Sequence, residues 1–396
     1  MFKKQTKKMS NFKNLTSMKR FLFMSALASV ALASCVNDEA MELNPQASGD
    51  QKISFNAPIV SGTTRVVYGE QPTTDTKKYS TAERFRVYAQ WDKDGSFESW
   101  ITANNDNQAI YMDDIEVAYD NTVDGWSSDA AGGNVYYWPK TGALTFAAYS
   151  PSDVSSFTHS YTQKGLSVTD FTVAAATANQ YDFMYSTRSV NRTKSDNWLE
   201  AGAGHTAQSF KGVDILFKHA LSSIKFKVKA KETYANTTIR VKQVTILNAY
   251  SQGDFAEDYT AGTASWTGHA LPVNYTVKTN ANNQILTTDA AALAEANDVI
   301  LLPQAMKHSD AETVKVKVDY SIQNGTGPEL TQEATLDLAT DNNDGYYEDS
   351  ATSADIEAWE MGKRYTYTIT IGLEKIYFSP EVTEWVDVTV TPDLTI

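Results

Sequence analysis

A single cysteine, Cys35, stands among the 396 residues, and only five histidines are scattered along the chain. One thiol closes no intramolecular disulfide, and so few soft ligands build no thiolate metal site. Positive charge is also in short supply: 34 Lys and Arg face 48 Asp and Glu, a formal net charge of −14. A surface of that sign repels phosphate backbones, so nucleic acid is excluded as a partner. Long apolar runs are lacking as well. The run Phe21 to Ala33 is too short to span a bilayer comfortably, and no other is long enough. Missing too are a phosphate loop, a nucleophile elbow, a His cluster and paired carboxylates at a recognisable spacing. The sequence therefore reads as a non-enzyme that calls for no cofactor and no metal.

What is present begins with the amino terminus. Lys3, Lys4, Lys7, Lys8, Lys13, Lys19 and Arg20 precede the apolar run with no acidic residue among them. A basic region followed by a short apolar one is the pattern of a secretory signal. It ends at Leu32-Ala33-Ser34-Cys35, which resembles the bacterial lipobox, in which the cysteine becomes the acylated first residue of the mature protein. Residues 1–34 are then a lipoprotein signal peptide and Cys35 a lipid attachment point. Met18 is an alternative start, because "MKRFLFMSALASVALASC" is a complete short signal by itself. Removing residues 1–34 takes the formal charge from −14 to −21. The polar stretch 35–51 reads as a flexible, lipidated spacer, so the mature protein should hang outside a membrane.

From Lys52 onward the dominant period is two. In "KISFNAPIV", Ile53, Phe55, Ala57 and Ile59 alternate with other residues, as in a strand with one buried face. The pattern recurs in "RFRVYAQW", "ALTFAAYS", "SSIKFKVKA", "TIRVKQVTILN", "TVKVKVDYSI" and "RYTYTITIGL", with Lys or Thr at many alternate positions. Asp94-Gly95, Asp124-Gly125, Gly132-Gly133, Asn324-Gly325 and Asp344-Gly345 supply turns. One short helix is predicted in "TTDAAALAEAN", capped by Thr288 or Asp289. The fold class is all-β, in sandwiches. A polar, small-residue stretch from Asn179 to Gly212 suggests a division into an N-terminal sandwich, 52–211, and a C-terminal one, 212–396.

Groupings that carry chemistry elsewhere have plainer explanations here. His219 lies near Ser222 and Ser223, without an elbow motif, and reads as a packed or capping histidine. Asp92 to Gly95 and Asp341 to Gly345 resemble calcium loops but lack the full ligand spacing, so hairpin turns explain them better. Tyr136-Tyr137-Trp138 could stack on sugar rings, yet three aromatics in a row place side chains on both faces of a strand, which favours core packing.

The ordered blocks "ISF…TTR", "FRVYAQW", "VYYWPKTGALTFAAYSP", "YDFMYS", "ILFKHALSSIKFKVKA", "VILLPQ" and "WEMGKRYTYTITIGLEKIYFSPEVTEW" resemble the fimbrillin-like proteins, type V pilins of Bacteroidales. The resemblance runs from Ile53 to Trp385. It implies two tandem transthyretin-like β-sandwich domains, export as a lipoprotein to the outer-membrane surface, and assembly into fimbriae with other fimbrial subunits. It further implies that an arginine-specific protease removes the first strand. The matching arginine is Arg65 in "SGTTRVV", with Val66 as the new terminus. Asp349-Ser350-Ala351 resembles the O-glycosylation tripeptide of these bacteria. If Ile53, Phe55 and Ile59 fill the core, each is worth roughly 1.5–3 kcal/mol, so the strand needs a replacement. An extended segment of a neighbour can supply one. The end of the chain alternates suitably at Val386, Val388 and Val390, then Leu394 and Ile396. In the competing reading Val382 to Val390 is simply the last strand of the C-terminal sandwich. A non-polymerising surface lipoprotein, anchoring or binding host or bacterial surface ligands, is the alternative function.

Overall fold

The computed structural model describes residues 52–56, 79, 81–94, 108–121, 125–152, 158–162, 164–197, 212–259, 261–278, 283–293, 298–309, 312–339, 356–373 and 376–385. Among these the chain is β throughout, as the period-two pattern predicts. Two short 3-10 turns, Thr177–Asn179 and Lys194–Asn197, are the only helical pieces described.

The first sheet is laid down by β1 (Phe55–Asn56), β2 (Phe85–Asp92), β3 (Gln108–Asp120), β4 (Gly125–Ser127) and β5 (Ala143–Ser150). A hairpin of β6 (Thr158–Thr162) and β7 (Gly165–Thr172) leaves it. The chain returns as β8 (Met184–Ser186), β9 (Ser189–Arg192), β10 (Val213–Asp214) and β11 (Phe217–His219). The hydrogen-bonded order is β10-β1-β4-β3-β2-β5-β8-β11, with β9 on β5. Its two ends, β10 and β11, are joined only by Ile215 and Leu216, so the sheet curls round on itself. It encloses a core that includes Ile53, Phe55, Phe85, Trp126, Phe146 and Phe217. All eight residues of β5 are buried. Leu144, Phe146 and Ala148 enter this core while Tyr149 enters a second one, so β5 is covered on both faces.

The second core is built by the later strands. These are β12 (Ser222–Ala230), β13 (Thr237–Asp258), β14 (Thr263–Lys278), β15 (Gln284–Ile285), β16 (Ala291–Ala292), β17 (Val299–Leu301), β18 (Gln304–Ala305), β19 (Lys315–Asn324), β20 (Glu329–Asp337), β21 (Ala358–Trp359), β22 (Lys363–Ile371) and β23 (Ile376–Glu384). One sheet runs β16-β12-β22-β23 with β17 also on β12. The other runs β20-β19-β13-β7-β6, with β14 and β15 also on β13. Ile224, Phe226 and Val228 of β12 and Val316 and Val318 of β19 alternate into this core with Tyr365, Tyr367 and Ile369 of β22. Lys225, Lys227 and Lys229 between them are only partly buried, the outward half of the alternation. Asn324-Gly325 turns β19 into β20 as predicted, with Gly325 at φ +55 and Gly327 N–H donating to Asn324 O.

The predicted helix is corrected. Ala291–Ala292 form a strand against Val228 and Lys227, and Leu293 is buried with its N–H donating to Phe226 O at 3.1 Å. The alanines favour a helix locally, but the unpaired side of β12 and a pocket for Leu293 offer more than a helix this short can.

Candidate functional site

The site suggested by the sequence is the place of the first strand, and β1 proves to be an interior strand despite its shortness. On one side it pairs in parallel with β10, Phe55 opposite Val213 and Asn56 opposite Asp214. On the other it pairs antiparallel with β4, Phe55 opposite Trp126. Val213 N–H donates to Ser54 O at 2.8 Å and Ile215 N–H to Asn56 O at 2.6 Å. Ile53 N–H donates to Tyr136 O at 2.8 Å. Ile53 and Phe55 are buried as expected, the Phe55 ring meeting Phe85 at 6.2 Å and Phe146 at 5.3 Å, both edge-on. Ser54, expected to face outward, is fully buried as well, because β10 closes over it. Gly212, at φ +77, makes that approach possible. A Cβ there would lie 2.8 Å from Ser54 Oγ and 3.0 Å from the Phe55 backbone.

Lys52 is the residue that sequence reasoning missed. Its ammonium donates to Asp129 Oδ2 at 2.7 Å and to Asp120 Oδ2 at 3.1 Å, with all three side chains largely withdrawn from water. Burial pushes the Lys52 ammonium down, but the hydrogen bonds and charges of Asp129 and Asp120 outweigh it, and the net shift is upward. Burial likewise pushes the Asp129 carboxyl up; the hydrogen bond from Lys52 and its charge bring it below its ordinary range. A lysine just before an apolar strand looks like a solvated charge in sequence. Its partners lie 68 and 77 positions away, beyond any local pattern.

The remaining site residues named from sequence lie outside the described residues. These are Cys35, Ala57, Ile59, Arg65 and Val66, and the tail positions Val386, Val388, Val390, Leu394 and Ile396. The segments Asp341 to Gly345 and Asp349-Ser350-Ala351 lie outside them too. The last described residue is Trp385. Before it β23 pairs with β22, and Trp385 N–H donates to Gly362 O at 2.9 Å. The Trp385 ring stacks on His219 at 4.0 Å and 10°.

That stack assigns His219, whose Nδ1 also lies 2.7 Å from Asp182 Oδ2. Ser222 Oγ instead donates to Glu360 O and Ser223 Oγ to Asp298 Oδ2, so the structure does not assemble the three as a nucleophile group. Asp92 Oδ1 accepts the Asp94 N–H at 2.9 Å, the bond of a tight turn. No group of three or more metal-ligating side chains occurs among the described residues. Trp138 is buried edge-on against Phe146 and Tyr136 packs on the same core, so two of the three aromatics serve the core.

A family model for fimbrillin-like proteins matches residues 64–385. The chain belongs to the fimbrillin-like family. The match covers the body of this fimbrillin-like chain between the first strand and the tail. Among solved structures, a fimbrial protein from Bacteroides vulgatus is similar at 15% identity with a TM-score of 0.55, over 84% of this chain and 100% of that one. A candidate cell adhesion protein from Bacteroides uniformis follows at 17% identity and a TM-score of 0.43, over 86% and 100%. No curated protein matches this fimbrillin-like chain. At 15% identity the first likeness speaks for the fold.

Proposed function

We propose that this protein is a structural or adhesive subunit of cell-surface fimbriae, exported to the outer membrane as a lipoprotein through Cys35. Cleavage after Arg65 then detaches its first strand, and a strand from a neighbouring subunit takes the vacated place. The observation that carries this reading is the position of β1. It is short and interior, bonded through its main chain on both sides, and its aromatic side chain sits in the centre of a core. Withdrawing such a strand opens a slot bordered by donors and acceptors of β10 and β4 and floored by Phe85, Phe146 and Trp126, which an extended segment can fill. The two separate cores support two sandwich units, with Val213, Ile215 and Phe217, which the sequence division at 211/212 assigned to the second unit, in the first core, and the β6-β7 hairpin in a sheet of the second. The tail from Val386 to Ile396, with its alternating Val386, Val388 and Val390, is the segment available for donation. The protein catalyses nothing in this reading, and its partners are other subunits, the lipid anchor and a surface ligand.

Arg65→Ala is the test. In native outer membranes the wild-type chain is expected to show a new terminus at Val66 and SDS-resistant ladders, and the variant neither. Intact mass and terminal sequencing make the measurement. A diacylated Cys35 retained on wild-type protein, with no ladder, would instead identify a non-polymerising surface lipoprotein.

A further inference from the structure

The slot contains more than an apolar pocket. Lys52 places its ammonium 2.7 Å from Asp129 and 3.1 Å from Asp120, and the Lys52, Asp129 and Asp120 side chains are only 15%, 33% and 14% exposed. The lysine lies before Arg65 in the chain and both aspartates lie after it, so cleavage there removes the cation and leaves the two carboxylates in the body. Both carboxylates reach the same nitrogen, so they lie close together. Without the ammonium, the two carboxylates lose the cation they share, in a site with little water. Three residues further along the chain, Phe55 fills a hole between Phe85 and Phe146. The slot therefore reads two things at fixed spacing: a cation, then an aromatic ring three positions on.

This chain's own tail carries neither. Residues 386–396, "VDVTVTPDLTI", contain no Lys, no Arg and no aromatic residue, and their only charged side chains are Asp387 and Asp393. An aliphatic side chain underfills a phenylalanine hole. An aspartate set beside Asp120 and Asp129 adds a third negative charge where one positive charge is wanted. Resting on the strand-exchange reading above, we infer that the slot selects a donor strand from a different subunit, one carrying Lys or Arg three residues before an aromatic. The slot rejects residues 386–396 of a second copy. The carboxylate pair acts as a specificity device against self-polymerisation, and this subunit enters fimbriae next to an unlike partner.

Competition between peptides tests this without relying on how a variant folds. The full chain is cut with an arginine-specific protease in the presence of three labelled peptides at equal concentration. One is residues 52–60, the second is the same segment with Lys52→Gln, and the third is residues 386–396. Native mass spectrometry counts which remains bound. The 52–60 peptide is expected to exceed the Lys52→Gln peptide by at least about tenfold, the scale set by truncating one partner of a buried charge pair, and the tail peptide by more. On an Asp129→Asn chain the preference for Lys52 should shrink. Equal capture of the Lys52 and Gln peptides, or capture of the tail peptide as well as 52–60, would overturn the selectivity and leave strand exchange standing. A chain left uncut at Arg65, or a cut chain that takes up none of the three peptides, would overturn both.

Discussion

Phe55→Ala is expected to cost about 3–5 kcal/mol of folding stability, the range for deleting a fully buried aromatic ring. The residue is inaccessible to water, and its ring is held edge-on by Phe85 and Phe146. Phe85 and Tyr79 in turn pack on Phe217, the last large apolar residue of the curled sheet. The hole left by alanine therefore sits between β1, near one end of the sheet, and the central strands β2 and β5, and closes poorly. Urea unfolding followed by tryptophan fluorescence measures it, since Trp126 lies opposite Phe55 on β4. Leu330→Ala, at a leucine 59% exposed on β20, is the control and should leave the midpoint nearly unchanged. A loss below about 1 kcal/mol for Phe55→Ala would show that the slot can relax without its first strand. The proposed need for a replacement strand would then fail.

The second large effect lies away from the slot, at Glu257 near the end of β13. Its side chain is almost wholly buried, and its Oε2 accepts the Leu166 N–H at 3.0 Å. Gly165, at φ +132, makes room for it: a Cβ there would come within 2.6 Å of Glu257 Cβ. Facing the carboxyl are Arg188, whose guanidinium lies 3.0 Å from the centroid of the Tyr259 ring, together with Tyr259, Tyr161 and Lys218. Burial raises the carboxyl from 4.5 to about 7, against the opposing pull of the Leu166 amide, Tyr259, Arg188 and Lys218. The folded state thus holds this proton more tightly than the unfolded chain does. The stability it contributes is complete below pH 4.5 and is lost as pH rises through about 7. At 1.36 kcal/mol for each pH unit between those values the loss approaches about 3 kcal/mol. Glu257→Gln keeps an acceptor for Leu166 and cannot ionise, so it should match wild type at pH 4 and surpass it at pH 8. Thermal melts of both proteins across that range decide it. A variant less stable than wild type at pH 8 would mean that the carboxylate's pairing with Arg188 outweighs its desolvation.

Local pattern reveals what is local. Period two located β12, β19 and β22 and assigned Ile224, Phe226 and Val228, or Val316 and Val318, to a core face, because each of these strands has one dry side and one wetter one. It also placed Ile53 and Phe55 in the core. It could not foresee that Ser54 is buried or that β5 is covered on both faces, since alternation describes a strand and says nothing of what lies over its second face. The helix predicted around Ala291 failed for the same reason: the competing partner, β12, is more than sixty residues away. Lys52 with Asp120 and Asp129, and His219 with Trp385, are likewise pairings made by topology. The family resemblance pointed to the first strand, but only the fold shows that Lys52 just before it joins Asp120 and Asp129.

Hydrogen exchange at the amides of Val213 and Ile215 reports most directly on whether the first strand is replaceable. Both N–H groups donate to the segment that contains β1, at Ser54 O and Asn56 O. They should be protected in the intact chain, exchange freely once β1 is cut away and removed, and regain protection in assembled fimbriae. Protection that persists after removal of β1, or is never recovered on assembly, would contradict strand replacement at this site.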